Sequence, residues 1–93
     1  MDMLAAHNDP KKGVGSRIAS LRAKQGLSQR RFAMIIGLDR SSLNRIESGK
    51  GNPTFSTLIR IANGLDVPFP ELCMYGEYEG LSLSSQEYSY ERE

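Results

Sequence analysis

The feature that most constrains this chain is the run from Gly26 to Asn52, where two short amphipathic stretches flank a Gly-Leu-Asp turn at 37–39. Ser28 is placed to cap a helix opening with Gln29, Arg30 and Arg31, whose inward face is Phe32, Ala33 and Ile36. Gly37 ends that helix, because glycine enters the left-handed conformation that turns the chain sharply without steric cost. Leu38 then plugs the turn against the core, and Asp39 caps a second helix running from Arg40 to about Glu47. In that second helix Leu43 and Ile46 lie three residues apart and point inward, and Ala33 is small enough to let the two helices approach closely.

The flanks extend this unit into an all-α domain of five helices over residues 13–75. Val14, Ile18 and Leu21 recur at helical spacing in a first helix that Gly26 stops near Gln25. Ser48 to Asn52 is a glycine-rich loop ending at Pro53, and Thr54 caps a fourth helix. Its buried stripe is Phe55, Leu58, Ile61, Ala62 and Leu65, and Asn63-Gly64 weakens its last turn. A short fifth helix starts at Pro68 or Phe69, passes through Pro70 in its first turn and ends near Met74. Residues 1–12, with an Asn-Asp-Pro breaker, read as a mobile arm in which His7 faces solvent. Residues 76–93 carry five glutamates, three tyrosines and four serines without helical period, although Gly80 to Ser84 alternates like a strand; they read as an acidic tail, mobile or ordered by a partner.

The net charge of +1 hides a partition. Residues 11–60 hold eleven Lys and Arg against Asp39 and Glu47, a net of +9, whereas residues 61–93 carry −6 and residues 1–10 carry −2. A basic body suits a polyanionic partner, since Lys and Arg displace the counterions condensed on a duplex. Single Cys73 cannot form an intrachain disulfide and is expected to pack beside Leu72. No Cys and His spacing suits zinc, no apolar run spans a membrane and no signal peptide is legible, so the expectation is a cytoplasmic chain without metal or cofactor. Gly49-Lys50-Gly51 lacks the spacing of a nucleotide-binding loop, the carboxylates are scattered, and no nucleophile has a base nearby; an enzyme is disfavoured.

The outward face of the second helix of the pair is Arg40, Ser41, Asn44 and Arg45, side chains able to reach base edges and phosphates in a major groove. With Gly26-Leu27-Ser28-Gln29, Phe32-Ala33, Gly37-Leu38, Ile46-Glu47, Gly49-Lys50, Pro53 and the apolar positions Leu58 to Leu72, the chain resembles the helix-turn-helix family of phage repressors, Cro proteins and related bacterial regulators. The resemblance covers roughly residues 14–74 and implies a compact five-helix, lambda-repressor-like domain. It further implies that Arg40, Ser41, Asn44 and Arg45 touch bases or adjacent phosphates, with Arg45 the best candidate for a guanine. Gln29, assisted by Ser28, would hold the DNA backbone at a helix N-terminus, joined by Lys50 and Asn52 in the following loop and by Arg17, Arg30 and Arg31 at the periphery. Arg22 and Glu47 would pair across helices as architecture.

Dimerisation is expected because one short helix reads too few base pairs to discriminate a site. The family's last helix would supply it through Phe69, Leu72 and Tyr75, unless those residues only close the monomer core. Two departures from the family pattern stand out. Asp39 replaces the usual serine or threonine, and Met34 and Ile35 fall at outward positions that are usually polar. Met34 and Ile35 either pack on the arm or Phe55, or form a partner-binding patch. The leading expectation is therefore a dimeric repressor reading palindromic double-stranded DNA. Its alternative is a protein-interaction module such as an antitoxin, docking through Met34, Ile35 or the tail.

Overall fold

The computed structural model describes residues 9–75, and no strand occurs among them. Four α-helices and a terminal 3-10 turn make up these residues: α1 (Pro10–Lys24), α2 (Gln29–Ile36), α3 (Arg40–Glu47), α4 (Phe55–Leu65) and the turn Phe69–Cys73. Each α-helix begins on a side-chain cap. Asp9 accepts from the Lys12 amide, Ser28 from Arg31, Asp39 from Ser42 and Thr54 from Thr57, which satisfies backbone donors that a helix start leaves without partners.

α1 starts earlier than expected. The Asp-Pro pair that reads as a breaker is here a cap followed by proline at the first helical position, so Pro10, Lys11 and Lys12 belong to the helix and not to an arm. Gly37 adopts φ 73 and turns α2 into α3, with the amide of Leu38 bonded to the Ala33 carbonyl at 2.9 Å. The expected fifth helix is the 3-10 turn. Pro68 and Pro70 remove two amide donors there, and five residues close only short-range bonds such as that from the Glu71 amide to the Pro68 carbonyl.

The core forms where these elements converge. Ile18 of α1, Phe32, Ala33 and Ile36 of α2, Leu43 and Ile46 of α3, Ile61, Ala62 and Leu65 of α4 and Leu72 of the turn are all buried, and Val14, Leu21, Leu38 and Leu58 pack around them. Burying each large member contributes about 1.5–3 kcal/mol, so most of the domain's stability lies in this cluster.

Two expected core positions, and one expected at a dimer contact, behave otherwise. Phe55 is 66% exposed, resting edge-on against Phe69 with centroids 5.1 Å apart. Cys73 is exposed and does not pack beside Leu72 in the core. Leu72 is fully buried within one chain, which removes it from any surface that could meet a second copy; of the three dimer candidates, Phe69 and Tyr75 remain partly exposed. No helix among the described residues is long and apolar enough to cross a membrane. His7, residues 1–8 and the whole 76–93 tail lie outside the described residues.

Candidate functional site

α3 presents its polar face because its apolar side is committed. Leu43 and Ile46 are buried, while Arg40, Ser41, Asn44 and Arg45 are all exposed on the same eight-residue helix. Gln29, Arg40, Ser41 and Asn44 line one shallow depression between the starts of α2 and α3. Lys50 and Asn52 are exposed in the loop that follows α3, and Arg30 and Arg31 are exposed on α2. Gln29, Arg40, Ser41 and Asn44 are thus brought together, Arg45 and Asn52 line a second depression, and Arg30 and Arg31, though exposed, line neither. Arg17 is engaged with the terminal turn: its guanidinium donates to the Glu71 side chain at 2.7 Å and to the Glu71 carbonyl at 2.9 Å, and its side chain is only 12% exposed. That pairing ties α1 to the terminal turn, a role that no local sequence pattern could reveal across 54 residues, and a phosphate contact by Arg17 would have to compete with it.

Rigidity behind the face comes from one ion pair. Arg22 of α1 donates Nε to Glu47 Oε2 at 2.7 Å and Nη2 to Oε1 at 2.9 Å, a two-pronged bridge, and its Nη1 reaches the Leu27 carbonyl at 2.6 Å. The side chains are 15% and 5% exposed, so this bridge is shielded from solvent and fixes α3 to α1. The hydrogen bond to Glu47 is the main cause that raises the Arg22 pKa above its ordinary value, opposed by burial. Arg60 of α4 adds a second brace, donating to the Ile36 and Gly37 carbonyls at 3.3 and 3.5 Å where α2 ends.

The individual side chains are already partly engaged. Gln29 donates Nε2 to Glu47 Oε1 at 2.8 Å and accepts at Oε1 from Asn44 Nδ2 at 3.3 Å. Arg45 donates one N–H to the Lys50 carbonyl at 3.2 Å, which holds the loop against the end of α3. Ser41 gives its hydroxyl proton to Asp39 at 2.9 Å, leaving its oxygen to act as an acceptor. Ser28 Oγ accepts from the Arg31 amide at 3.0 Å as a cap.

Asp39 collects three hydrogen bonds: from Ser42 Oγ at 2.7 Å, Ser41 Oγ at 2.9 Å and the Ser42 amide at 3.0 Å. The Ser42 hydroxyl, then that of Ser41, holds this carboxyl below the usual carboxylate range. A depressed folded pKa means stability present above the unfolded carboxylate pKa of about 3.9 and lost as pH falls through the depressed value. Acid should therefore loosen the start of α3. The thermal midpoint of the wild-type chain should fall more steeply below about pH 4 than that of Asp39→Asn, which keeps an uncharged cap. Equal slopes would show that the carboxylate contributes nothing there.

Met34 and Ile35 are 74% and 55% exposed, so among the described residues neither is covered by Phe55, whose ring meets Phe69 instead. No group of three or more His, Cys, Asp or Glu among the described residues is arranged to hold a metal ion.

Known proteins share this family and fold. The family described as Helix-turn-helix matches residues 18–72. An uncharacterized HTH-type transcriptional regulator, y4dJ of Sinorhizobium fredii, is 39% identical over 64 residues, which is 69% of this chain and 83% of that protein. The cryptic phage CTXphi transcriptional repressor RstR of Vibrio cholerae is 35% identical over 60 residues, 64% of this chain but 54% of RstR. In structure the chain is similar to the restriction-modification controller protein C.AhdI from Aeromonas hydrophila, with a TM-score of 0.65 at 38% identity, covering 69% of this chain and 96% of that one.

Proposed function

The chain belongs to the Helix-turn-helix family and is a DNA-binding transcriptional regulator rather than an enzyme; from that premise we propose that two copies bind a palindromic operator in the cytoplasm and repress transcription. One observation carries the reading. Arg40, Ser41, Asn44 and Arg45 are exposed along a single helix whose opposite side is locked into the core and bridged by Arg22 and Glu47. Side chains reading base edges must hold their positions to a fraction of an ångström, and this helix has the support to do so.

The roles divide by position. Arg45, near the end of α3, would present its fork to guanine O6 and N7, a pairing worth about 1–3 kcal/mol of discrimination. Arg40 at the helix start, Gln29, Ser28, Lys50 and Asn52 would meet phosphates, which set register without reading sequence. A palindrome requires the two α3 helices to lie about 34 Å apart, one turn of the duplex. Phe69 and Tyr75, both partly exposed at the end of the domain, are the residues we assign to the contact between copies.

Selection of bound duplexes from a random pool tests the proposal. The chain should enrich two inverted half-sites, and Arg45→Ala should relax preference at one symmetric position per half-site. A pool that stays random would remove the proposal. Lys50→Ala makes a contrasting prediction: affinity should weaken alike for every sequence, and the slope of log K against log salt should become shallower by about 1. A change of preferred sequence in that variant would transfer Lys50 to the base-reading group.

The exposure of Met34 and Ile35 supports a second function that coexists with the first, docking of a protein partner on the outer face of α2. Copurification of a second protein with the wild-type chain but not with Met34→Lys would support it; equal recovery with both would oppose it.

A further inference from the structure

Four side chains at the back and front of α3 form one continuous hydrogen-bonded line: Arg22 to Glu47, Glu47 to Gln29, Gln29 to Asn44. The direction of each bond in this line is dictated by chemistry. Both Glu47 oxygens accept from Arg22, at 2.7 and 2.9 Å, so the carboxylate is ionised and has no proton to donate. A carboxylate that only accepts must face the amine side of the Gln29 amide, and it does so at 2.8 Å. Gln29 is thereby obliged to turn its carbonyl oxygen toward α3, and Asn44 must answer with its own amine side, at 3.3 Å.

We infer that Glu47, acting through Gln29, is a positioning residue for sequence specificity: it sets the polarity of the Asn44 amide so that Asn44 offers an acceptor oxygen and one remaining N–H to adenine. The inference rests on the proposal that α3 enters the major groove, and it adds what that proposal leaves open. An asparagine free to flip presents its oxygen and nitrogen in either order. An asparagine held in one order matches the N6 donor and N7 acceptor that adenine displays there, whereas the reversed order does not. Asn44 is exposed on the same helix as Arg40, Ser41 and Arg45, and its Nδ2 bond to Gln29 leaves Oδ1 and one N–H uncommitted. The buried ion pair thus does more than brace the helix, because its charge decides which way two successive amides point.

Gln29 and Asn44 can be altered while the Arg22–Glu47 bridge stays in place, which separates this role from a purely structural one. Binding of the full chain is measured to a duplex selected by the wild-type protein and to the same duplex substituted at each base pair in turn. The wild-type chain should show one symmetric A·T pair whose replacement lowers affinity roughly 5- to 150-fold. Asn44→Ala should erase that preference. Gln29→Met, which fills similar space but cannot transmit the order, should erase it too, although Asn44 is still present. The double variant should discriminate no less than Asn44→Ala alone. Placing 7-deazaadenine at the same position should weaken wild-type binding and leave Asn44→Ala indifferent, a measurement that requires no change near the core. Thermal unfolding of Gln29→Met, or of Gln29→Ala should the methionine variant not fold, checks that the domain is intact. Retention of the full adenine preference in a folded Gln29 variant would overturn the inference while leaving the reading of α3 standing. Loss of nothing in Asn44→Ala would overturn it as well. A wild-type chain without any base preference would instead remove the DNA-reading proposal beneath it.

Discussion

Replacing Arg22 by methionine should lower the unfolding free energy by about 3–5 kcal/mol, the cost of stranding a buried carboxylate. Glu47 is 8% exposed overall and draws two of its hydrogen bonds from Arg22. Without the guanidinium the carboxylate keeps only the Gln29 amide at 2.8 Å, which cannot compensate a charge at that depth. The Leu27 carbonyl, an acceptor for Arg22 Nη1 at 2.6 Å, would lose that partner as well. A domain of this size is stable by only about 5–15 kcal/mol, so the variant should melt at a much lower temperature. The pair itself is a different matter from either half. Removing both charges, as in R22M/E47L, should be less damaging than R22M alone, because two groups taken from water are replaced by apolar ones of similar volume. Chemical denaturation of the single and double variants measures the coupling. If R22M kept wild-type stability but preferred a different DNA sequence, the architectural assignment of Arg22 would be wrong.

Gly15→Ala should destabilise the domain by an amount at the upper end of about 1–3 kcal/mol, against the direction that helix propensity alone would give. In an exposed helix interior that substitution gains about 1 kcal/mol. Gly15, however, is buried in the middle of α1 where α3 ends, and a methyl group built on it would overlap the carbonyl oxygen of Ile46 and approach that of Glu47 at 2.8 Å. Both neighbours are backbone, so no side-chain rotation relieves the overlap; α1 and α3 must separate. The separation would stretch the Arg22–Glu47 bridge that spans the same two helices. Stability and DNA affinity should therefore fall together in Gly15→Ala. A stabilised variant would show that α1 and α3 do not approach as closely as described.

What could be read from the chain depended on how local each cause was. The caps at Ser28, Asp39 and Thr54 act within three residues, and the inward positions of α2 and α3 repeat at helical spacing, so those elements are legible in the sequence alone. The Arg22–Glu47 bridge spans 25 residues and was legible only through resemblance. Arg17 and Glu71, 54 residues apart, leave no trace in spacing, so their pairing is invisible in the sequence. Asp9-Pro10 illustrates a different limit, because the same pair that breaks one helix starts another. Phe55 continues the apolar stripe of α4 in sequence, yet it sits at the helix's first residue, where its ring meets Phe69 at the rim instead of entering the core. Leu72 shows that an apolar residue near the end of a small domain says nothing of whether its own chain or a second one covers it. The order of the Gln29 and Asn44 amides had no sequence signal, since it follows from a bond to a carboxylate 18 residues from Gln29.

Dimethyl sulfate interference on a duplex selected by the protein tests most directly whether the polar face of α3 lies in the major groove. Methylation of guanine N7, on the major-groove edge, should block binding of the wild-type chain at one symmetric position in each half-site, and Arg45→Ala should bind the same methylated duplex as well as the unmethylated one. Interference confined to adenine N3 in the minor groove, or an identical guanine pattern for the wild-type chain and Arg45→Ala, would contradict the account.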